Sequence, residues 1–257
     1  MAVPSLQALV AAAHDVAIVI TGADKRRGRG SELSPSPVKA AALQLGLPVS
    51  HSVDDVLGRE IELGVVVAFG QLVRPHVLND VPMVNSHFSL LPRWRGAAPV
   101  ERALLAGDNE TGVCLMQLEA GLDTGPVYDV VRVPISATAT APELRGALVA
   151  VGVEQLVRCL SGPLPAPIEQ QGEPVYAAKI KASELRIDWS QPVQQIDRLI
   201  RVGGAWTTLR GRRVKVLTAT FVTGELRITT VQPEGKAAMS MDDFARGVRL
   251  QPGEPFE

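Results

Sequence analysis

Val65-Val66-Val67-Ala68-Phe69 is an unbroken apolar run, the signature of a strand buried on both faces of a parallel sheet. Upstream, residues 16–20 (Val-Ala-Ile-Val-Ile) carry the same signature behind Asp15. Downstream, Pro82-Met83-Val84-Asn85 reads as a third strand that runs into a loop. Helical patterns separate these runs. Val3, Leu6 and Val10 share one face of a first helix with Pro4 in its first turn, residues 38–45 are closed by Gly46, residues 99–106 by Gly107, and residues 142–160 by Gly162. Two further strands are expected over 113–118 and 127–133. Strands alternating with helices predict an α/β layer with a mostly parallel sheet. A doubly wound sheet normally starts with its central strand. This chain starts with a helix, so an apolar strand ending in a glycine-containing loop is expected to be encoded upstream of Met1.

The texture changes after residue 160. Pro163, Pro165, Pro167, Gly172 and Pro174 crowd into one short stretch, which reads as a linker. Residues 193–201 then look helical, and 214–221 and 225–231 look like antiparallel strands. The expected organisation is a first domain over 1–162, a linker over 163–181 and a mostly β domain over 182–257. The 257 residues hold 26 Lys plus Arg against 27 Asp plus Glu, a net charge of −1. That excludes a protein basic all over, though not a local basic patch. Aromatic residues are 4% of the chain, too few for a broad base-stacking platform. Cys114 and Cys159 form no C-x-x-C pair, and His14, His51, His76 and His87 show no ligand spacing, so no metal site is expected. No apolar run approaches the roughly 20 residues of a membrane helix, and no signal peptide is visible. The expectation is a soluble cytoplasmic monomer.

Chemistry concentrates in Asn85-Ser-His-Phe-Ser-Leu-Leu-Pro-Arg-Trp-Arg-Gly-Ala-Ala-Pro99. Asn85 and His87 stand two apart at the end of a strand, so both side chains point one way, into the crevice where open α/β sheets bind ligands. Such a pair also occurs at strand ends for packing alone. Glu119-Ala-Gly-Leu-Asp-Thr-Gly125 places Asp123 between two glycines in a sharp loop; it also reads as a turn aspartate bonding its own backbone. Together Asn85, His87 and Asp123 suit acyl-type transfer without a covalent intermediate. The amide stabilises a developing oxyanion, the imidazole moves or holds a proton, and the carboxylate orients the imidazole. No G-x-S-x-G elbow is present.

These residues resemble the hallmark of formyltransferases that use 10-formyltetrahydrofolate. Asn85-x-His87 followed by Ser89-Leu-Leu-Pro-Arg-Trp-Arg-Gly-Ala-Ala-Pro99 is similar to their first signature, and Gly121-Leu-Asp-Thr-Gly125 to their second. Arg93 to Pro99, Glu110-Thr-Gly-Val113, Gly28-Arg-Gly30, Ser34-Pro-Ser-Pro-Val-Lys39, Leu185-Arg-Ile-Asp-Trp189, Gln232-Pro-Glu-Gly-Lys236 and Met239-Ser240 resemble the branch that formylates initiator methionyl-tRNA. The resemblance spans nearly the whole chain. It implies a Rossmann-like catalytic domain followed by a small OB-like β-barrel that binds tRNA. It implies Asn85, His87 and Asp123 as the catalytic trio and no metal. Contacts to the formyl donor, 10-formyltetrahydrofolate, are implied for Ser89, Leu90, Leu91, Pro92 and Gly121, with Val65, Val67, Phe69 and Gly70 as the wall around its pteridine. It implies direct attack by the methionine amine on the formyl carbon.

The loop Asp24-Lys-Arg-Arg-Gly-Arg-Gly30 carries a local charge of +3. It matches the family's loop that enters the tRNA acceptor stem, with Lys25, Arg26 and Arg27 on phosphates and Arg29 as the discriminating arginine. Arg212, Arg213 and Lys215 form a second basic cluster suited to phosphate contacts, and equally to a solvated surface. The sequence departs from the family at Phe88, where a small residue or proline is usual and a reshaped pocket entry is expected. It also lacks the opening strand, and it is shorter over 47–62 and 218–227. Two other readings remain: a formyltransferase acting on a sugar nucleotide or purine precursor, and a non-catalytic tRNA- or folate-binding protein. The arginine-glycine loop and second domain argue against the first, and the intact trio against the second.

Overall fold

The structure, a computed structural model, describes residues 1–26, 33–222 and 225–257. In chain order the elements are α1 (Ala2–Ala11), β1 (Val19–Ile20), β2 (Lys25–Arg26), β3 (Leu33–Ser34), α2 (Pro37–Gln44), β4 (Val49–Ser50), β5 (Gly64–Val66), α3 (Pro75–Asp80), β6 (Met83–His87), β7 (Arg93–Gly96), α4 (Pro99–Ala106), β8 (Glu110–Gln117), β9 (Val127–Pro134), α5 (Ala141–Leu160), β10 (Val175–Ala177), α6 (Val193–Val202), β11 (Trp206–Leu209), β12 (Arg212–Val222), β13 (Glu225–Pro233), β14 (Met239–Ser240) and α7 (Met241–Val248). Contacts divide the chain into two compact units. One comprises Met1–Ala97, Glu110–Pro134 and Arg145–Ala177; the other comprises Ala98–Asn109, Ile135–Leu144 and Ala178–Glu257.

Local chemistry explains where helices begin and end. Ser36 caps α2 by accepting from the Lys39 N–H, with Pro37 in the first turn. Pro99 opens α4, and Gly107 ends it in the left-handed region at φ 75°. Thr140 and Glu143 bond each other's backbone N–H at the start of α5, a capping box.

The first unit holds a four-stranded sheet in the order β5-β6-β8-β9. β5 and β6 run parallel, while β6/β8 and β8/β9 are antiparallel. The pleat sends successive side chains to opposite faces. Met83 therefore joins Val56, Val73, Val77 and Val81, while Val84 joins Leu115 and Leu156 of α5. Asn85 and His87 share the Met83 face. A separate parallel pair, β1 with β4, packs with Leu6 and Ala42.

The runs 16–20 and 65–69 are shorter as strands than expected, and their side chains are mostly half-buried. The reason is a groove of about 740 Å³ lined by Ile18, Ile20, Val65, Val66 and Val67. Among the described residues no strand bridges β1 and β5 across it. β5 therefore has a paired edge only on its β6 side, and positive φ at Ala68 (49°) and Gly70 (64°) turns the chain away.

Residues 163–181 are more than a linker. Ile168 exchanges both backbone hydrogen bonds with Val127, and β10 pairs in parallel with β7. The second unit is a four-stranded antiparallel sheet, β11-β12-β13-β14. Ile196 and Ile200 of α6 pack with Val216, and Phe244 of α7 packs with Leu209, Val214 and Val231. Glu257 exchanges N–H and C=O with Thr208, covering the free edge of β11. Among the described residues no helix is long and apolar enough to cross a membrane.

Candidate functional site

The antiparallel ladder places Asn85 opposite Met116 and His87 opposite Cys114, and the parallel one places Val66 opposite Asn85. Asn85 and His87 thus leave the same face at the carboxyl end of β6. The loop after β8 brings Asp123 to them. Its φ of 51° lies in the left-handed region, which aspartate tolerates better than most side chains. The two flanking glycines are required by close approach. A Cβ on Gly125 would stand 2.1 Å from the Gln117 carbonyl oxygen, and one on Gly121 would stand 2.2 Å from Thr124 Oγ1.

Asp123 is 9% exposed, so its carboxylate needs partners. Oδ2 accepts from the Gly96 N–H at 2.7 Å, the short geometry of a charge-assisted bond. Oδ1 accepts from Asn85 Nδ2 at 3.4 Å. His87 Nδ1 faces Oδ2 at 3.6 Å. On its other side His87 Nε2 stands 2.9 Å from the Trp94 carbonyl oxygen. A carbonyl only accepts, so Nε2 carries a hydrogen and Nδ1 is the nitrogen that gains or loses a proton. The structure brings the three sequence-predicted side chains together, Asn85 bonded to the Asp123 carboxylate and His87 Nδ1 facing it at 3.6 Å.

The residues expected around the formyl donor divide. Ser89 is fully buried, and its hydroxyl donates to the Arg93 carbonyl at 2.6 Å, which spends it on folding the loop. Leu90, Leu91 and Pro92 are half-buried. The Leu91 N–H donates to Cys114 Sγ at 3.4 Å, and the Pro92 carbonyl accepts from Val175. Burial pushes the Cys114 thiol up to about 11. Val65 and Val67 pack beside Val84, Leu115 and Leu156, Phe69 packs beside Val77 and Met83, and all three line the groove. Gly70 follows in open space. Phe88 corrects an expectation. Its ring is buried, 6% exposed, and a Cβ on Gly152 would stand 3.4 Å from it. The ring lies within the core beside Gly152 of α5, so it is not exposed at a pocket entry.

Lys25 and Arg26 are exposed on β2, which pairs with β3. Asp24 is neutralised by Lys39 at 2.8 Å. Arg27, Gly28, Arg29 and Gly30 lie outside the described residues. The basic cluster of the second unit is split by strand alternation: Arg213 and Lys215 share one face of β12, opposite to that of Val214 and Val216, and Arg212 falls with the valines. The Arg213 guanidinium lies 4.1 Å from the Trp206 ring centroid, with Arg186 at 5.7 Å. That basic and aromatic patch, including Arg186 and Trp206, was not legible as a unit from spacing. Among the described residues no three metal-ligating side chains gather.

Sequence reading also missed Gln170. Its Nε2 donates to the carbonyls of Asp123 and Gly125, both at 2.8 Å. Its Oε1 accepts from Arg95 Nε at 3.0 Å and Nη2 at 2.7 Å. One of two adjacent glutamines in a proline-rich stretch carries no signal of such a role.

Comparison with known proteins gives the geometry its context. Residues 3–160 match the formyl transferase family, and residues 179–226 match the formyl transferase C-terminal domain. The chain is 42% identical over 291 aligned residues to a methionyl-tRNA formyltransferase of Roseobacter denitrificans, covering 99% of this chain and 95% of that one. Among solved structures it is similar to a methionyl-tRNA formyltransferase from Clostridium thermocellum, with TM-score 0.59, 18% identity, and coverage of 73% and 86%. It is also similar to a sugar 3N-formyl transferase solved with 5-N-formyl-THF, with TM-score 0.63, 18% identity, and coverage of 92% and 95%. At these identities the two structures speak for the fold.

Proposed function

The chain belongs to the formyl transferase family, and from that premise we propose how its own residues carry a formyl group from 10-formyltetrahydrofolate to the amino group of methionine on initiator methionyl-tRNA. When bound, 10-formyltetrahydrofolate supplies the formyl carbon as electrophile. Asn85 Nδ2 donates to the formyl oxygen as that oxygen gains charge. His87 Nδ1 takes the proton that the attacking amine loses and returns it to the folate nitrogen as the formyl carbon–nitrogen bond of the donor breaks, so that tetrahydrofolate leaves. Its Nε2–H stays on the Trp94 carbonyl, so the ring keeps its orientation while its charge changes. Asp123 Oδ2, held by Gly96, faces the imidazolium that forms. No side chain of the trio has to become covalently attached. Residues 67–70 follow β5 beside Asn85, and with Leu90 and Leu91 they supply an apolar surface suited to a pteridine ring.

The observation that carries this reading is the convergence of Asn85 and His87 on one carboxylate at the end of β6. Lys25, Arg26, Arg27 and Arg29, with Arg212, Arg213 and Lys215, supply charge for tRNA phosphates. Arg29, by resemblance, separates initiator from elongator tRNA, so Arg29→Ala should narrow that difference. Translation places the reaction in the cytoplasm, and one copy of the chain carries the whole trio, consistent with action as a monomer. The test is formyl transfer by the purified chain to initiator methionyl-tRNA, elongator methionyl-tRNA and an amino sugar nucleotide. The initiator should be formylated with the highest kcat/KM. Preference for the sugar nucleotide would overturn the substrate assignment, and transfer unaffected by His87→Ala would overturn the site.

A further inference from the structure

We propose that Gln170 is a positioning residue for the reaction: it locks the Asp123 loop to the loop after β6 and so holds the carboxylate at His87. The inference rests on the reading that Asp123 serves catalysis. Four observations converge on it. The Gln170 amide nitrogen bonds the carbonyls at both ends of a three-residue stretch, Asp123 and Gly125. Its amide oxygen is gripped by two nitrogens of the Arg95 guanidinium. The next residue, Gly96, gives its N–H to Asp123 Oδ2. The strand carrying Arg95 and Gly96 is itself paired to β10, a few residues beyond Gln170.

These links close a ring: Asp123 carboxylate, Gly96, Arg95, Gln170 and back to the Asp123 backbone. A carboxamide is the group that fits, because it donates at one end and accepts at the other. The ring has something to restrain. Asp123 sits at φ 51° and Trp94, whose carbonyl orients His87, at φ 66°, conformations that persist where surroundings over-determine them. A shift of about 1 Å in such a group costs on the order of a hundredfold in rate.

The experiment is a double-mutant cycle between Gln170 and Asp123, read as kcat and KM for both substrates and as thermal midpoint. Gln170→Ala should lower kcat about 10- to 100-fold, with both KM values within about twofold and a midpoint lowered by only a few degrees. Gln170→Glu keeps the size and the acceptor for Arg95 but turns a carboxylate toward two carbonyls. It should be impaired at least as much, and it serves as the probe if the alanine variant folds poorly. In an Asp123→Asn background, Gln170→Ala should cost less than about twofold, because the residue it positions is already disabled. Normal kcat in both Gln170 variants, with Asp123→Asn impaired, would overturn this inference alone. So would full multiplication of the two losses. Normal kcat in Asp123→Asn would overturn the reading beneath it.

Discussion

The segments after β6 and β8, the second of which carries Asp123, differ sharply from the segment 168–177 packed against them. The former are dense in functional side chains but irregular in backbone, with Trp94 and Asp123 at positive φ and Gly96 at φ 113°. The latter contributes no group to the trio, yet it donates ordered backbone: a two-way bond from Ile168 to Val127, the strand β10, and the Gln170 carboxamide. A sharply turned loop such as that of Asp123 cannot pair its own backbone. The pairing is then supplied from elsewhere in the chain. Reactivity and rigidity are divided between two segments far apart in sequence.

That division is open to attack from both sides, and the largest effects should come from the end of β6. His87→Ala should lower kcat about 10²–10⁴-fold, and Asn85→Ala about 10²–10³-fold, with the thermal midpoint unchanged. No replacement within 168–177 other than at Gln170 should approach these losses. An equal loss from a bracing residue other than Gln170 would erase the distinction, with single-turnover kinetics as the measurement.

Gly125→Ala should come next, as a loss of stability of about 1–3 kcal/mol in denaturant titration, because its Cβ meets the rigid Gln117 carbonyl. Gly121→Ala should cost less, since its Cβ meets the Thr124 side chain, which is able to turn. The reverse order would show that the loop relaxes freely and needs no brace. Ile168→Pro removes the N–H given to Val127 and should cost about 1 kcal/mol, with kcat falling less than in Gln170→Ala.

The smallest effect concerns Cys114, which lies opposite His87 and accepts from Leu91. The thiolate is the reactive form, and burial holds the thiol up to about 11. Alkylation of Cys114 in the folded protein should therefore be slow at neutral pH and accelerate as pH rises toward 11. Gln170→Ala should raise the neutral-pH rate severalfold by loosening the loop over it. An unchanged rate would mean that the brace restrains the Asp123 loop alone.

Much of this was legible without coordinates. The helices α2, α4, α5 and α6 announce themselves by Pro at the start, glycine at the end and apolar periodicity, and they lie within a residue or so of expectation. Asn85 and His87 declare a shared face by a spacing of two on a strand. Less legible were residues 16–20 and 65–69. Apolar content predicts burial on both faces, but hydrogen bonding and covering layers decide it, and here a groove leaves the side chains half-buried. Phe88 was misplaced for a related reason: whether a ring meets a pocket or a core is settled by neighbours far off in the chain, such as Gly152, 64 residues away.

The amino-acid sequence by itself determined the family and the element types and singled out Asn85, His87 and Asp123 as candidates, because these rest on local propensity and on motifs a few residues long. Only the tertiary structure decided which nitrogen of His87 is basic, since that depends on the Trp94 carbonyl. It alone separated Arg212 from Arg213 and Lys215 by strand face, and turned a proline-rich connector into the clasp over the site. Hydrogen bonds from Gln170 to Arg95 and Asp123 span 75 and 47 residues. Pairings of that length leave no trace in local pattern, because they form only once the elements between them have packed.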